Sequence, residues 1–193
     1  MESTGGEATK RMLAGSLKGL MAQKPLNKIS IREIAEGCGV NRQTFYYHFE
    51  DIYDLLQWMY RQEAISLLAK REGMLVWQDG LLQLFRYLEE NREVCLCTLD
   101  SLGHNYLRRF FYGDIHDILY RTIEDLAQDL DDKDRKNFAT DFYVAALAGL
   151  VENWLRGYLA QTPEELVKMV DAVLQDHYAG ARLRQKGAVD SIN

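Results

Sequence analysis

The chain has 193 residues, 47% of them hydrophobic and 27% charged, which suits one or two globular domains with a real core and excludes a disordered polyelectrolyte. Only two prolines, with abundant Leu, Ala, Glu, Gln and Arg, argue against a sheet protein and for an all-α fold. The net charge of −6 is uneven: within residues 1–49, Lys10, Arg11, Lys18, Lys24, Lys28, Arg32 and Arg42 outnumber Glu2, Glu7, Glu33 and Glu36, a basic head on an acidic body.

Residues 1–6 are small and polar and are expected to be disordered. A first helix is predicted over Ala8 to Gln23, with Met12, Leu13, Leu17, Leu20 and Met21 on one apolar stripe, and Pro25 and Asn27 mark the loop that ends it. Ser30 with Glu33 three residues later makes a capping-box pattern for a short second helix that buries Ile31, Ile34 and Ala35. Gly37-Cys38-Gly39 stops that helix, and Asn41 caps a third. Two short helices around a glycine-bearing turn form a helix-turn-helix, with small Ala35 and Gly39 placed where the helices would cross closely. On the third helix Phe45 and Phe49 face the core, Arg42 and Tyr46 lie at the edge of that face, and Gln43, Thr44 and Tyr47 point outward.

The stretch from Ser30 to Phe49, with Ile34-Ala35, Gly39-Val40, Tyr46 and Phe49 followed by Leu55, resembles the DNA-binding segment of the TetR family of transcriptional regulators. The likeness covers residues 8–56, and the run from Asn41 to Leu56 is further similar to the subgroup that regulates dihydroxyacetone kinase operons. It implies an N-terminal helix-turn-helix domain at 1–50 and a helical effector-binding and dimerisation domain at 51–180, and the chain pattern adds a flexible tail at 181–193 and about nine helices in all. The DNA-contacting set is then Ser30, Arg32, Asn41, Arg42, Gln43, Thr44, Tyr46, Tyr47 and His48. Arg42 and Gln43 have the forked donors and acceptors that pair with guanine and adenine edges. Ser30, Thr44, Tyr46 and His48 suit phosphate oxygens, and Arg32 is either a groove contact or a surface arginine. Glu50 and Ile52 stand where many relatives carry lysines, leaving the backbone amides at the start of helix four as the phosphate donors there.

Helix four is predicted over Asp51 to Lys70, followed by a break at Asp79-Gly80, a helix carrying Leu81, Leu84, Phe85 and Leu88, and another from Val94 to Leu102. Helical segments at Tyr106 to Tyr112 and Ile115 to Leu130 precede a long apolar helix over Asp134 to Ala160 and a last one from Thr162-Pro163 to about Tyr178. The resemblance implies a two-fold dimer through a four-helix bundle of the last two helices, with Ala145, Ala148, Gly149, Val151, Trp154, Met169 and Val173 at the interface; the same residues would alternatively fill a monomer core. It also implies an effector pocket, which Tyr60, Phe110, Phe142 and Tyr143 either line or leave to the core. The partners expected are a palindromic double-stranded DNA operator, a second copy of the chain, and a small-molecule effector or, alternatively, a protein partner with which the complex activates transcription.

Other chemistries find little support. Cys38, Cys95 and Cys97 are an odd set in a chain for which no signal peptide is expected, and i and i+2 on a helix cannot share one metal ion. No Gly-rich phosphate loop, nucleophile elbow or paired His motif suggests an enzyme or a cofactor, and Glu63, Asp100 and Glu124 would have to meet in a pocket to do acid-base work. The Asp129, Asp131, Asp132 and Asp134 run reads as a solvated helix junction rather than a cation site. No apolar run reaches the roughly 20 residues of a membrane span, and a cytoplasmic location is expected.

Overall fold

The computed structural model describes residues 4–69, 77–103, 112, 115–124 and 133–190, and every regular element among them is helical. Helix α1 (Thr4–Met21) starts earlier than expected, within residues read as disordered. It buries Leu13, Ala14, Leu17 and Met21, whereas Met12, one step round the helix from Leu13, is exposed. A single 3-10 turn, Leu26–Lys28, then sinks Leu26 into the core.

Helices α2 (Ile31–Gly37) and α3 (Arg42–His48) form the helix-turn-helix. The capping box is complete: the Ser30 hydroxyl accepts from the Glu33 amide, and Glu33 accepts from the Ser30 amide at 2.9 Å. The close crossing of α2 and α3 expected at Gly39 is not seen there; a different close approach, of α1 to α2, falls at Gly37, where a Cβ would collide with Ser16 Oγ. Ser16 Oγ holds α1 against α2 by donating to the Ile34 carbonyl at 2.9 Å. Gly39 has open space around it and is needed for its φ of +69°, which leads the chain out of α2 without a Cβ penalty.

Helix α4 (Ile52–Tyr60) passes through a π turn (Arg61–Ile65) into α5 (Ser66–Ala69). Helix α6 (Trp77–Glu90) runs through Asp79-Gly80, which is therefore no break. A Cβ on Gly80 would lie 3.4 Å from the Leu67 carbonyl, so this glycine serves the crossing of α6 over α5. Then come α7 (Arg92–Leu102), α8 (115–124), α9 (Lys133–Leu155) and α10 (Pro163–Asp190). The start of α10 has its own capping box, with the Glu165 amide donating to Thr162 Oγ1 at 3.2 Å and the Thr162 amide to Glu165 at 2.9 Å. The tail expected from residue 181 is helical as far as Asp190, with Ala181 buried at 1% exposure in a core cluster with Leu174 and Tyr178.

One core cluster runs from Leu13, Leu17, Ile34 and Phe45 of the first three helices through Leu55, Leu56 and Met59 to Phe85, Leu99, Trp154 and Leu155. The head is thus packed onto the body without a change of core at residue 50. A smaller cluster, Ile123, Ala139, Tyr143, Leu174, Tyr178 and Ala181, ties α8, α9 and α10 together.

Candidate nucleic-acid interface

Local sequence fixes how α3 is presented. Asn41 Oδ1 accepts from the Thr44 amide at 2.9 Å and from the Thr44 hydroxyl at 3.1 Å, starting the helix and using both side chains. Phe45 is fully buried and its ring lies 6.0 Å from that of Phe49, which fixes the rotation of the helix. Arg42, Gln43, Tyr46 and Tyr47 consequently share the solvent side, with Tyr47 at 84% exposure. The Tyr46 ring leans edge-on to Phe45 at 5.7 Å and His48, half-buried, leans edge-on to Tyr47 at 4.9 Å. Asn41→Ala is expected to cost about 1 kcal/mol through loss of the cap, and more in DNA affinity than in melting temperature, since α3 is only two turns long.

The flanks of α3 differ in charge. Lys24 pairs with Glu33 at 2.5 Å, and hydrogen bonds from Lys24, then from the Ser30 amide and hydroxyl, hold the Glu33 carboxyl down at about 2. Arg32 pairs with Glu36 at 2.6 Å on an exposed face of α2, where water screens the charges and ordering two long side chains offsets most of the attraction. Arg32 is therefore weakly held. At the start of α4, Asp51 Oδ1 accepts from the Asp54 amide at 2.8 Å and Asp54 Oδ2 accepts from the Glu50 amide at 3.1 Å. Two amides expected to hold phosphate are thus occupied by the chain's own carboxylates, which also make this end negative.

In the body, the residues expected to line a pocket separate. Tyr60 belongs to the large core, where its hydroxyl donates to Thr98 Oγ1 at 2.8 Å while Thr98 donates to the Val94 carbonyl. Tyr143 belongs to the smaller cluster and bonds His177 Nδ1 at 2.7 Å; Phe142, one residue away, is exposed. Phe110 lies outside the described residues. Of the expected interface set, Val151 and Trp154 are buried in the protomer, because they continue the inner stripe of Thr140, Val144 and Leu155. Trp154 packs edge-on to Phe85 at 5.3 Å and its indole donates to the Gln161 carbonyl at 2.8 Å. Ala145, Met169 and Val173 are exposed, and Ala148 and Gly149 are half-buried.

The carboxylates considered for acid-base chemistry do not converge. Glu63 is bound to Lys18, Asp100 to Arg156 at 3.0 Å, and Glu124 is exposed on α8. Among the described residues no group of three or more His, Cys, Asp or Glu is arranged to hold a metal ion; Asp129, Asp131 and Asp132 lie outside them. Burial raises the Cys95 thiol to about 11, so it stays protonated. No helix among the described residues is long and apolar enough to cross a membrane.

Sequence reasoning missed the polar contacts between head and body. Lys18 on α1 meets Glu63 on the π turn, which also accepts from the Tyr87 hydroxyl of α6 at 2.9 Å. The Leu26 amide donates to Ser101 Oγ of α7 at 3.2 Å, and Cys97 Sγ donates to the Lys24 carbonyl at 3.6 Å. The π turn had no sequence signature, and without it the register that brings Glu63 to Lys18 was not visible.

Residues 18–59 match the family model for bacterial regulatory proteins of the tetR family, and residues 76–176 match a transcriptional regulator C-terminal region. The HTH-type dhaKLM operon transcriptional activator DhaS of Lactococcus lactis is 33% identical over 84 residues, which is 44% of this chain and 45% of that relative. A solved structure of the dihydroxyacetone kinase operon activator DhaS superposes with a TM-score of 0.72 at 25% identity, covering 89% of this chain and 96% of that one. NalD, the secondary repressor of the MexAB-OprM multidrug efflux pump in Pseudomonas aeruginosa, shares the fold at a TM-score of 0.57 and 18% identity over 92% of this chain and 96% of its own. With the helix-turn-helix and most of the body matched by these two models, the chain belongs to the TetR family of DNA-binding transcriptional regulators.

Proposed function

We propose that the chain binds an inverted-repeat operator as a homodimer in the cytoplasm, laying α3 of each protomer in a major groove, and that an effector held by the body changes the separation of the two α3 helices. The observation that carries this reading is the fixed rotation of α3, which buries Phe45 and leaves Arg42 and Gln43 on the solvent side. Arg42 and Gln43 read base edges, Tyr46, Tyr47 and His48 hold the sugar-phosphate flanks, and Ser30, Asn41 and Thr44 act mainly by capping the two helices. Arg32 reaches the backbone by giving up its weak pair with Glu36. We assign the chain no catalytic activity. Footprinting on the DNA flanking its own gene tests this: two protected half-sites related by a dyad support it, and a single protected site speaks against a dimeric reader.

The dimer is supported by an uncovered apolar face on α9 and α10. Phe138, at 72% exposure, Phe142 and Ala145 project from α9, and Met169, Val173 and Leu183 project from α10. A Cβ at Gly149 meets nothing within 4 Å in the protomer. Gly149→Gln is therefore expected to leave the protomer as stable as before, or slightly more so by helix propensity, while weakening self-association. Sedimentation over a concentration series should show a dimer for the parent and a shift toward monomer for the variant; a parent that stays monomeric at micromolar concentration would contradict the dimeric reading.

A second reading is favoured by the likeness to DhaS, named a transcriptional activator: the body binds a protein partner, and the complex activates transcription. The two readings separate in a melting assay, because whatever binds the folded state alone raises its melting temperature by mass action. Stabilisation by small metabolites supports the ligand-responsive regulator, and stabilisation only by a co-purifying protein supports the activator complex.

A further inference from the structure

Beside the shared apolar core, and among the described residues, polar contacts between distant segments tie the head to the body at two places on different body elements. One is the loop after α1, where the Leu26 amide and Lys24 carbonyl are fixed to Ser101 and Cys97 of α7. The other lies within α1 itself. Lys18 Nζ is 2.5 Å from Glu63 Oε2, the same oxygen accepts from the Tyr87 hydroxyl at 2.9 Å, and Nζ stands 5.2 Å from the centre of the Tyr87 ring. Groups from α1 and α6 thus converge on one carboxylate oxygen of the π turn. The charged pair is partly shielded, Lys18 at 28% and Glu63 at 34% side-chain exposure, so solvent screens it less than a fully exposed one.

The π turn gives this joint its place. A π turn widens the helix by one residue and rotates the helix beyond it, and such turns often mark sites of function. Here Ala64 and Ile65 stay in the core while Glu63 faces the gap between α1 and α6. Burial, and then the charge of Glu63, raise the Tyr87 phenol well above its ordinary range, so the hydroxyl remains a donor. Because both bonds end on one oxygen, a displacement of α1 relative to α6 strains at least one of them. The apolar core beneath is non-directional, whereas this joint requires particular atoms to meet.

We propose that Glu63 is a positioning residue for DNA binding: it clamps Lys18 of the head to Tyr87 of the body and thereby sets the angle at which α3 is presented, so that movement of α6 or of the π turn is passed to the reader. The proposal rests on the dimeric reading above, since the angle of each head matters most when two must meet one operator. Glu63 acts through Lys18 and touches no base.

The test uses the full-length protein and duplexes carrying its selected half-site, either alone or as an inverted repeat with the central spacer shortened or lengthened by single base pairs. The parent should favour one spacing by about tenfold or more, within the roughly 5- to 150-fold range of ordinary coupling. Glu63→Gln, Lys18→Met and Tyr87→Phe should each flatten that preference while binding the single half-site as the parent does. The exchange Lys18→Glu with Glu63→Lys should restore part of it, and it is the loss of spacing preference at unchanged half-site affinity that a merely structural role does not give. Variants that keep the parental spacing profile overturn the proposal, and so do variants that lose half-site affinity and spacing preference in parallel, since that reports a damaged head. Tyr87→Phe removes one oxygen and keeps the ring, so it serves should the charge variants fold poorly. A parent indifferent to spacing would refute the dimeric reading and the clamp with it; a parent that is selective alongside equally selective variants would refute the clamp alone.

Discussion

Arg42→Ala is expected to lower affinity for the preferred duplex by about 1–3 kcal/mol and to relax discrimination at one base position in each half-site. The reason is geometric. Arg42 opens α3 immediately after the Asn41 cap, on the solvent side, and the rotation set by buried Phe45 does not depend on it. Removing the guanidinium therefore removes a contact without disturbing the helix that carries it. Tyr46→Phe provides the contrast: a lost phosphate hydrogen bond should weaken all sequences about equally and leave the salt dependence unchanged, because a neutral tyrosine releases no counterion. Titrations against specific and scrambled duplexes distinguish the two. Arg42→Ala binding every duplex as the parent does would exclude α3 as the reader.

Phe45→Ala is expected to cost about 3–5 kcal/mol, the range for truncating a buried aromatic. Phe45 is fully buried, packs on Phe49 and Tyr46, and belongs to the cluster that continues to Phe85 and Trp154 in the body. The continuity makes the prediction specific. If head and body unfold as one unit, helix content and tryptophan fluorescence should fall together, at a melting temperature lowered by roughly 6–20 °C, taking 2–4 °C per kcal/mol for a chain of this size. A variant whose head melts early while the body keeps the parental midpoint would show that the core divides near residue 50.

The parts of this protein that were legible in its sequence are those governed by neighbours in the chain. Ser30 with Glu33 gave its capping box away at a spacing of three, and Phe45 with Phe49 gave the orientation of α3. What escaped depended on contacts between distant segments. Gly80 looked like a stop until α5 was seen against it, and the close approach at Gly37 is made by Ser16 of α1. Val151 and Trp154 are as apolar as any interface residue, and only the position of Phe85 shows that they face inward. The joint at Glu63 combines both difficulties, because its partners lie 45 and 24 residues away and its register depends on a π turn.

The carboxylates that fill the start of α4 bear on how such a regulator behaves in a cell. A reader surrounded by lysines gains much of its grip from expelled counterions, so it lingers on any DNA and loosens when the ionic strength rises. Glu50, Asp51 and Asp54 beside α3, on a chain of net charge −6, take away part of that indiscriminate grip. Fewer molecules are then stranded along the chromosome, and a small number of copies suffices to find the operator. Occupancy is then expected to depend more on base contacts and on the state of the body than on the surrounding salt, so that an osmotic upshift is less easily mistaken for a signal.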